Sequence, residues 1–202
     1  MIKTAVIACG ALAREIDQII QTYDLEVFLV ELDPLLHNTP KLIPDAVESQ
    51  IAQLKDKYRE IILAYADCGT YGKLDEVCQK HQLLRLRGNH CYDVYLGSQN
   101  LRMRLESEPG TYILTDFLVA TFERSVSQEL GLDRYPFLKD DYFKNYRRLL
   151  WLAQNPTEQL TKKAEQIASN LQLKLEIEVV GNSGLAAQLL DLLGLNSKVE
   201  AH

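Results

Sequence analysis

Residues 60–72, EIILAYADCGTYG, decide how this chain is read. After Glu60 comes a near-continuous apolar run, Ile61 to Ala66. It is too short for a buried helix and suits a central parallel strand covered on both faces. Asp67-Cys68-Gly69-Thr70 then reads as a turn, and Lys73 to His81 as a short helix. Upstream the same grammar repeats. Residues 3–8 (KTAVIA) read as a buried strand, Cys9-Gly10 as a turn, and Ala11 to Tyr23 as a helix with Leu12, Ile16, Ile19 and Ile20 at helical spacing. Residues 25–31 (LEVFLVE) form a second strand, followed by the proline-rich loop DPLLHNTPKLIP and a helix from Asp45 to Lys57. Residues 83–87 (LLRLR) read as a fourth strand. Alternating strands and helices predict an α/β protein with an open, mainly parallel sheet of Rossmann-like type, flanked by helices.

The second half reads as more helical. A strand is expected at 111–115 and a helix from Asp116 to about Leu130. The stretch DYFKNYRRLLWLAQ (141–154) reads as an aromatic-rich helix, or as a lid whose Arg147 or Arg148 meets a carboxylate. A helix over 157–171 starts at Thr157, residues 173–180 alternate as a strand, and VVGNSG leads into a last helix. VVGNSG has the look of a phosphate-binding turn, but it lacks the P-loop lysine, so an ordinary tight turn is the first reading. The expectation is one domain over 1–202, with the helical segment 116–171 packed on it and a frayed tail at the end.

The chain has 202 residues, 47% of them hydrophobic, and a net charge of −6. Without a long basic run, nucleic-acid binding is not expected. No apolar run approaches membrane-spanning length, and the start does not read as a signal peptide, so a cytoplasmic protein is expected. There the cysteines would stay reduced.

Three of the four cysteines share one setting, the C-terminal end of an apolar run beside a turn: Cys9, Cys68 and Cys91. In a parallel sheet that setting collects side chains on the edge where ligands bind. Cys78 lies within a helix and reads as a small core residue. Three thiols suit a soft metal with an open fourth position, either zinc or an iron–sulfur cluster, zinc being favoured. The start of a helix after Cys9 is expected to lower its thiol pKa. His90, beside Cys91, is the candidate fourth ligand or proton carrier. His37, Asp67, Tyr71 and Arg14 are candidate substrate-binding residues, while His81 and His202 look peripheral.

Together ACGALARE, LHNTP, AYADCGTYG, GNHCYDVYLG, EPGTYILTDFL and YFKNYRRLLWLAQ resemble a bacterial and archaeal family catalogued as domain of unknown function number 1638. The resemblance runs along almost the whole chain and includes the three cysteine motifs, with Cys78 outside them. It implies an association with corrinoid-dependent methyltransferase systems for methylated amines.

Three functions stay open at this point. One is a metal protein acting on a small thiol, a methyl donor or a carboxylate. Another is a metal-free two-thiol enzyme of racemase type. The third is a non-enzymatic partner of a corrinoid or methyltransferase protein. A homodimer is plausible.

Overall fold

The computed structural model describes residues 3–195. The tail beyond, with His202, lies outside the described residues. The chain divides into two compact units, residues 3–98 with 182–195, and residues 99–181.

The first unit starts with β1 (Thr4–Cys9), α1 (Ala13–Thr22), β2 (Val27–Leu32), α2 (Ile43–Leu54), β3 (Glu60–Ala64) and α3 (Lys73–His81). It continues with α4 (Cys91–Leu96). The strands lie parallel in the order β2-β1-β3. β1 is the central strand, and Ala5 to Cys9 are all fully buried. α1 covers the sheet with Leu12, Ile16 and Ile19, and α2 with Val47, Ile51 and Leu54, the spacings read from the sequence. The stretch 83–87 makes only one parallel bridge, Leu63 to Arg85, rather than a fourth strand. Its Leu84 is exposed and only Leu86 is fully buried. Arg85 donates to Asp75 and to the carbonyls of Leu86 and Gly88.

After α5 (Ser98–Ser107), the second unit holds β4 (Thr111–Thr115), α6 (Asp116–Phe122), α7 (Leu138–Phe143), β5 (Arg148–Ala153), α8 (Glu158–Leu171) and β6 (Lys174–Val179). These strands form a second parallel sheet, in the order β4-β5-β6. The α/β class and the parallel strands are as the sequence suggested, distributed over two three-stranded sheets. The 141–154 helix is corrected: it ends at Phe143, and the apolar half becomes the middle strand β5, with Leu149 to Ala153 buried. A continuous apolar run has no period that separates strand from helix, and here burial on both faces decides. Arg148 pairs with Glu176 at 2.6 Å within this sheet. α8 begins under its expected cap, the Thr157 hydroxyl accepting from Leu160 N.

The chain then returns to the first unit as α9 (Ser183–Leu192), whose Leu185, Ala186, Leu189 and Leu190 are buried. Gly184 sits against α4: an added Cβ would stand 2.5 Å from the Tyr95 carbonyl. The glycine of VVGNSG that opens this helix therefore serves close helix packing. Among the described residues, no helix is long and apolar enough to cross a membrane.

Candidate functional site

The parallel register builds the site. Cys9, the last residue of β1, lies opposite Leu32 of β2, and its predecessor Ala8 lies opposite Ala64 of β3. The next residue on the β3 side is Tyr65, fully buried. On the β2 side, Asp33 accepts a hydrogen bond from Leu35 N and opens a 3-10 turn over Pro34–Asn38. The turn carries His37 back over Cys9, with Nε2 3.7 Å from Sγ. The His37 ring stacks on Tyr65 with centroids 5.7 Å apart and planes 15° from parallel. This crowding depends on Gly10, because a Cβ there would stand 2.3 Å from the Leu32 carbonyl oxygen.

Cys68 and Cys91 arrive by a second route. After β3, Asp67 N donates to Gly88 O at 3.1 Å and Cys68 N donates to Asn89 O at 2.8 Å. These bonds join the 67–72 turn to the segment leading into α4, which begins at Cys91. Cys68 is held at φ 50°, the left-handed region, where a non-glycine residue costs roughly 1–2 kcal/mol. Such strain persists only where the surrounding structure fixes it.

All four cysteines are free thiols. Burial pushes the Cys9 thiol up to about 11, against backbone N–H groups of Ala11 and Leu12 and the Tyr65 side chain, which lower it. The expected net lowering by the helix start is thus overturned, because desolvation outweighs the amides. Burial, then the neighbouring Cys9 charge, pushes Cys91 up to about 12 against N–H groups of Tyr92 and its own backbone. Cys68 is pushed up by burial and by the charges of Cys91 and Cys9, while the Cys91 N–H pulls it back. Cys68 and Cys91 thus each feel another thiol's charge, and all three thiols face at least one backbone N–H. The Tyr65 phenol is raised by burial and then by the charges of Cys9, Cys68 and Cys91, which places it in the same electrostatic cluster. Its hydroxyl is buried and makes no hydrogen bond of good geometry. An orphaned buried hydroxyl costs about 1–3 kcal/mol. Cys78 lies in α3, where burial and then Arg85 and Asp75 govern its thiol.

A family profile matches residues 31–190. The chain belongs to the family described as protein of unknown function (DUF1638). In this DUF1638 chain His37, Cys68 and Cys91 fall inside the matched span, and Cys9 precedes it. No curated protein and no solved structure matches it.

The remaining candidates divide. His90 is exposed, caps α4, and places Nδ1 3.7 Å from Asp93 Oδ2. Its ring stacks on Tyr92. Asp67 is folded into its own turn, accepting from the Thr70 hydroxyl and from Tyr71 and Gly72 N. Burial would raise its pKa, but those bonds hold it below the usual range. Tyr71 is 95% exposed, and Arg14 is exposed on α1. A cleft of about 980 Å³ is lined by Asn38 and Thr39, just past His37, and by Gly69, Thr70 and Tyr71, just past Cys68. Burial lowers the His37 pKa, partly offset by the Pro34 carbonyl, which favours the neutral imidazole. Tyr65 was hidden inside the apolar run. A hydroxyl-bearing aromatic near the end of the apolar run was its one signal.

Proposed function

We propose that the DUF1638 chain binds a soft metal through Cys9, Cys68 and Cys91, zinc ahead of an iron–sulfur cluster. The observation that carries this reading is the electrostatic cluster of three thiols, Cys9 and Cys68 buried and Cys91 half-buried, each facing a backbone N–H. Such N–H groups stabilise thiolates around a metal and tune it. As placed, no group of three or more His, Cys, Asp or Glu side chains among the described residues has metal-holding geometry. Uptake therefore requires the thiols to turn inward and release their protons, making affinity rise with pH. A three-thiolate metal suits activation of a small thiol or acceptance of a methyl group, with the cleft past His37 and Cys68 as the approach for a thiol, methyl donor or carboxylate. The association with methylated-amine methyltransferase systems that the resemblance implies makes a corrinoid or methyltransferase protein the partner to test.

The metal-free two-thiol reading is less well supported, because a nucleophilic or proton-shuttling cysteine must ionise near neutral pH. The raised Cys9 and Cys91 thiols and the neutral His37 oppose that. Metal analysis and the absorption spectrum of protein purified without oxygen test the proposal. Near-stoichiometric metal that is lost in Cys68→Ala is expected. Trace metal, unchanged in that variant, would overturn it.

A further inference from the structure

The unit 99–181 holds a cavity of its own, about 520 Å³, lined by α6, α8 and the segment 132–139. It shares no residue with the cysteine cluster, so its role is independent of the metal reading. Its floor is the core face of the unit, with Val119, Ile167 and Leu171 buried. Phe122 and Leu132 stand half-buried beside them. A cavity of this size, with an apolar floor and few polar groups at its rim, is of the kind that takes a small organic ligand.

The rim carries the sign of the ligand. Lys163 of α8 donates to the Ala120 carbonyl at 3.0 Å, and Lys139 of α7 to the Asn170 carbonyl at 3.1 Å. Those bonds tie α8 to its neighbours and use one donor on each ammonium. An ammonium has three N–H donors, so each keeps free ones. Among the described residues neither lysine pairs with a carboxylate. Glu123 is the one acidic side chain among those lining the cavity, and it is exposed, so the rim is net positive. Two features of the rim depart from ordinary surface. α6 runs on into a π-helical turn over Glu123–Ser127, where Gln128 N reaches back to Glu123 O at 2.8 Å. Such wide turns are uncommon and gather at functional sites. Tyr135 and Phe137, on either side of the lining Pro136, are 52% and 69% exposed, which leaves aromatic surface at the mouth.

We infer that this cavity binds a small carboxylic acid with an apolar body, the body on the Val119, Ile167 and Leu171 floor and the carboxylate held at the rim by Lys163 and Lys139. A cation with the same body meets two ammoniums, and a short acid has nothing to bury.

Isothermal titration calorimetry of the full-length protein with decanoate, decyltrimethylammonium and acetate tests this. Decanoate should bind saturably, one per chain, and more than about tenfold more tightly than either of the others. Lys163 is exposed, so Lys163→Met should keep the wild-type unfolding midpoint and weaken decanoate binding about tenfold. Adding Lys139→Met should weaken it further. Gln166→Trp, at an exposed lining position of α8, should block the cavity with both lysines in place. The absence of saturable decanoate binding would overturn the inference. So would equally tight binding of decyltrimethylammonium, or decanoate binding that survives Lys163→Met or Gln166→Trp unchanged.

Discussion

Tyr65 is a polar residue whose environment works against it in the metal-free protein. Its hydroxyl is buried and makes no hydrogen bond of good geometry, so Tyr65→Phe removes a desolvation cost and loses only a weak contact with Cys9. The variant should be as stable as wild type or gain up to about 1–3 kcal/mol in chemical denaturation. A clear loss would mean that the hydroxyl has a partner. The thiols set a pH dependence. Folding raises Cys9 from the ordinary 9.0 to about 11 and Cys91 to about 12. Below pH 9 the folded and unfolded chains are both protonated there, and stability is at its full value. Between about 9 and 11 the unfolded chain sheds protons that the folded chain keeps, so stability falls as pH rises. The unfolding free energy of metal-free protein, read from urea titration, should drop between pH 8 and pH 10 by about 1 kcal/mol for each thiol. A flat profile would argue that the thiols are solvated.

Among the elements, β5 and α6 are tied by one buried carboxylate. Asp116, at the start of α6, accepts from Trp151 Nε1 at 2.8 Å, from Gln154 N at 3.0 Å and from Asn155 N at 2.7 Å. Its own N–H donates to Gln154 Oε1. Asp116→Ala leaves two buried donors, Trp151 Nε1 and Gln154 N, and the part-buried Asn155 N unmet and should cost about 3 kcal/mol or more, seen as a lowered unfolding midpoint. The contrast between β3 and β5 shows what the sequence made legible. Both are apolar runs. Ile61 to Ala66 was bounded by a polar turn with two glycines, which fixed its identity. Leu149 to Ala153 followed an aromatic, basic stretch that does begin as helix, and nothing local marked the change. The place of Cys9 at the end of β1 was legible in the sequence, whereas Cys68 and Cys91 are set by the turn bonds of 67–68 to 88–89 rather than by a strand end before Cys91. The approach of His37 to Cys9 was not legible, because it depends on the register of β1 with β2 and on a 3-10 turn whose ring orientation is set by Pro34 and Tyr65.

On the scale of the whole molecule, every residue of the candidate site lies in residues 3–98 with 182–195. Metal uptake should therefore slow amide exchange in the turns around Cys9, Cys68 and Cys91. It should leave β4, β5 and β6 of the other unit at their metal-free rates. Equal slowing in both would show that the thiols are not the seat of binding.

The return of α9 to the first unit has a consequence for the order of assembly during synthesis. The ribosome finishes residues 99–181 before it makes the helix that packs on α4. The inserted unit can fold while the first still lacks Leu185, Leu189 and Leu190. The helix that starts at Cys91 gains its packing partner last, so in a newborn chain the segment around Cys91 is covered after the sheet that holds Cys9.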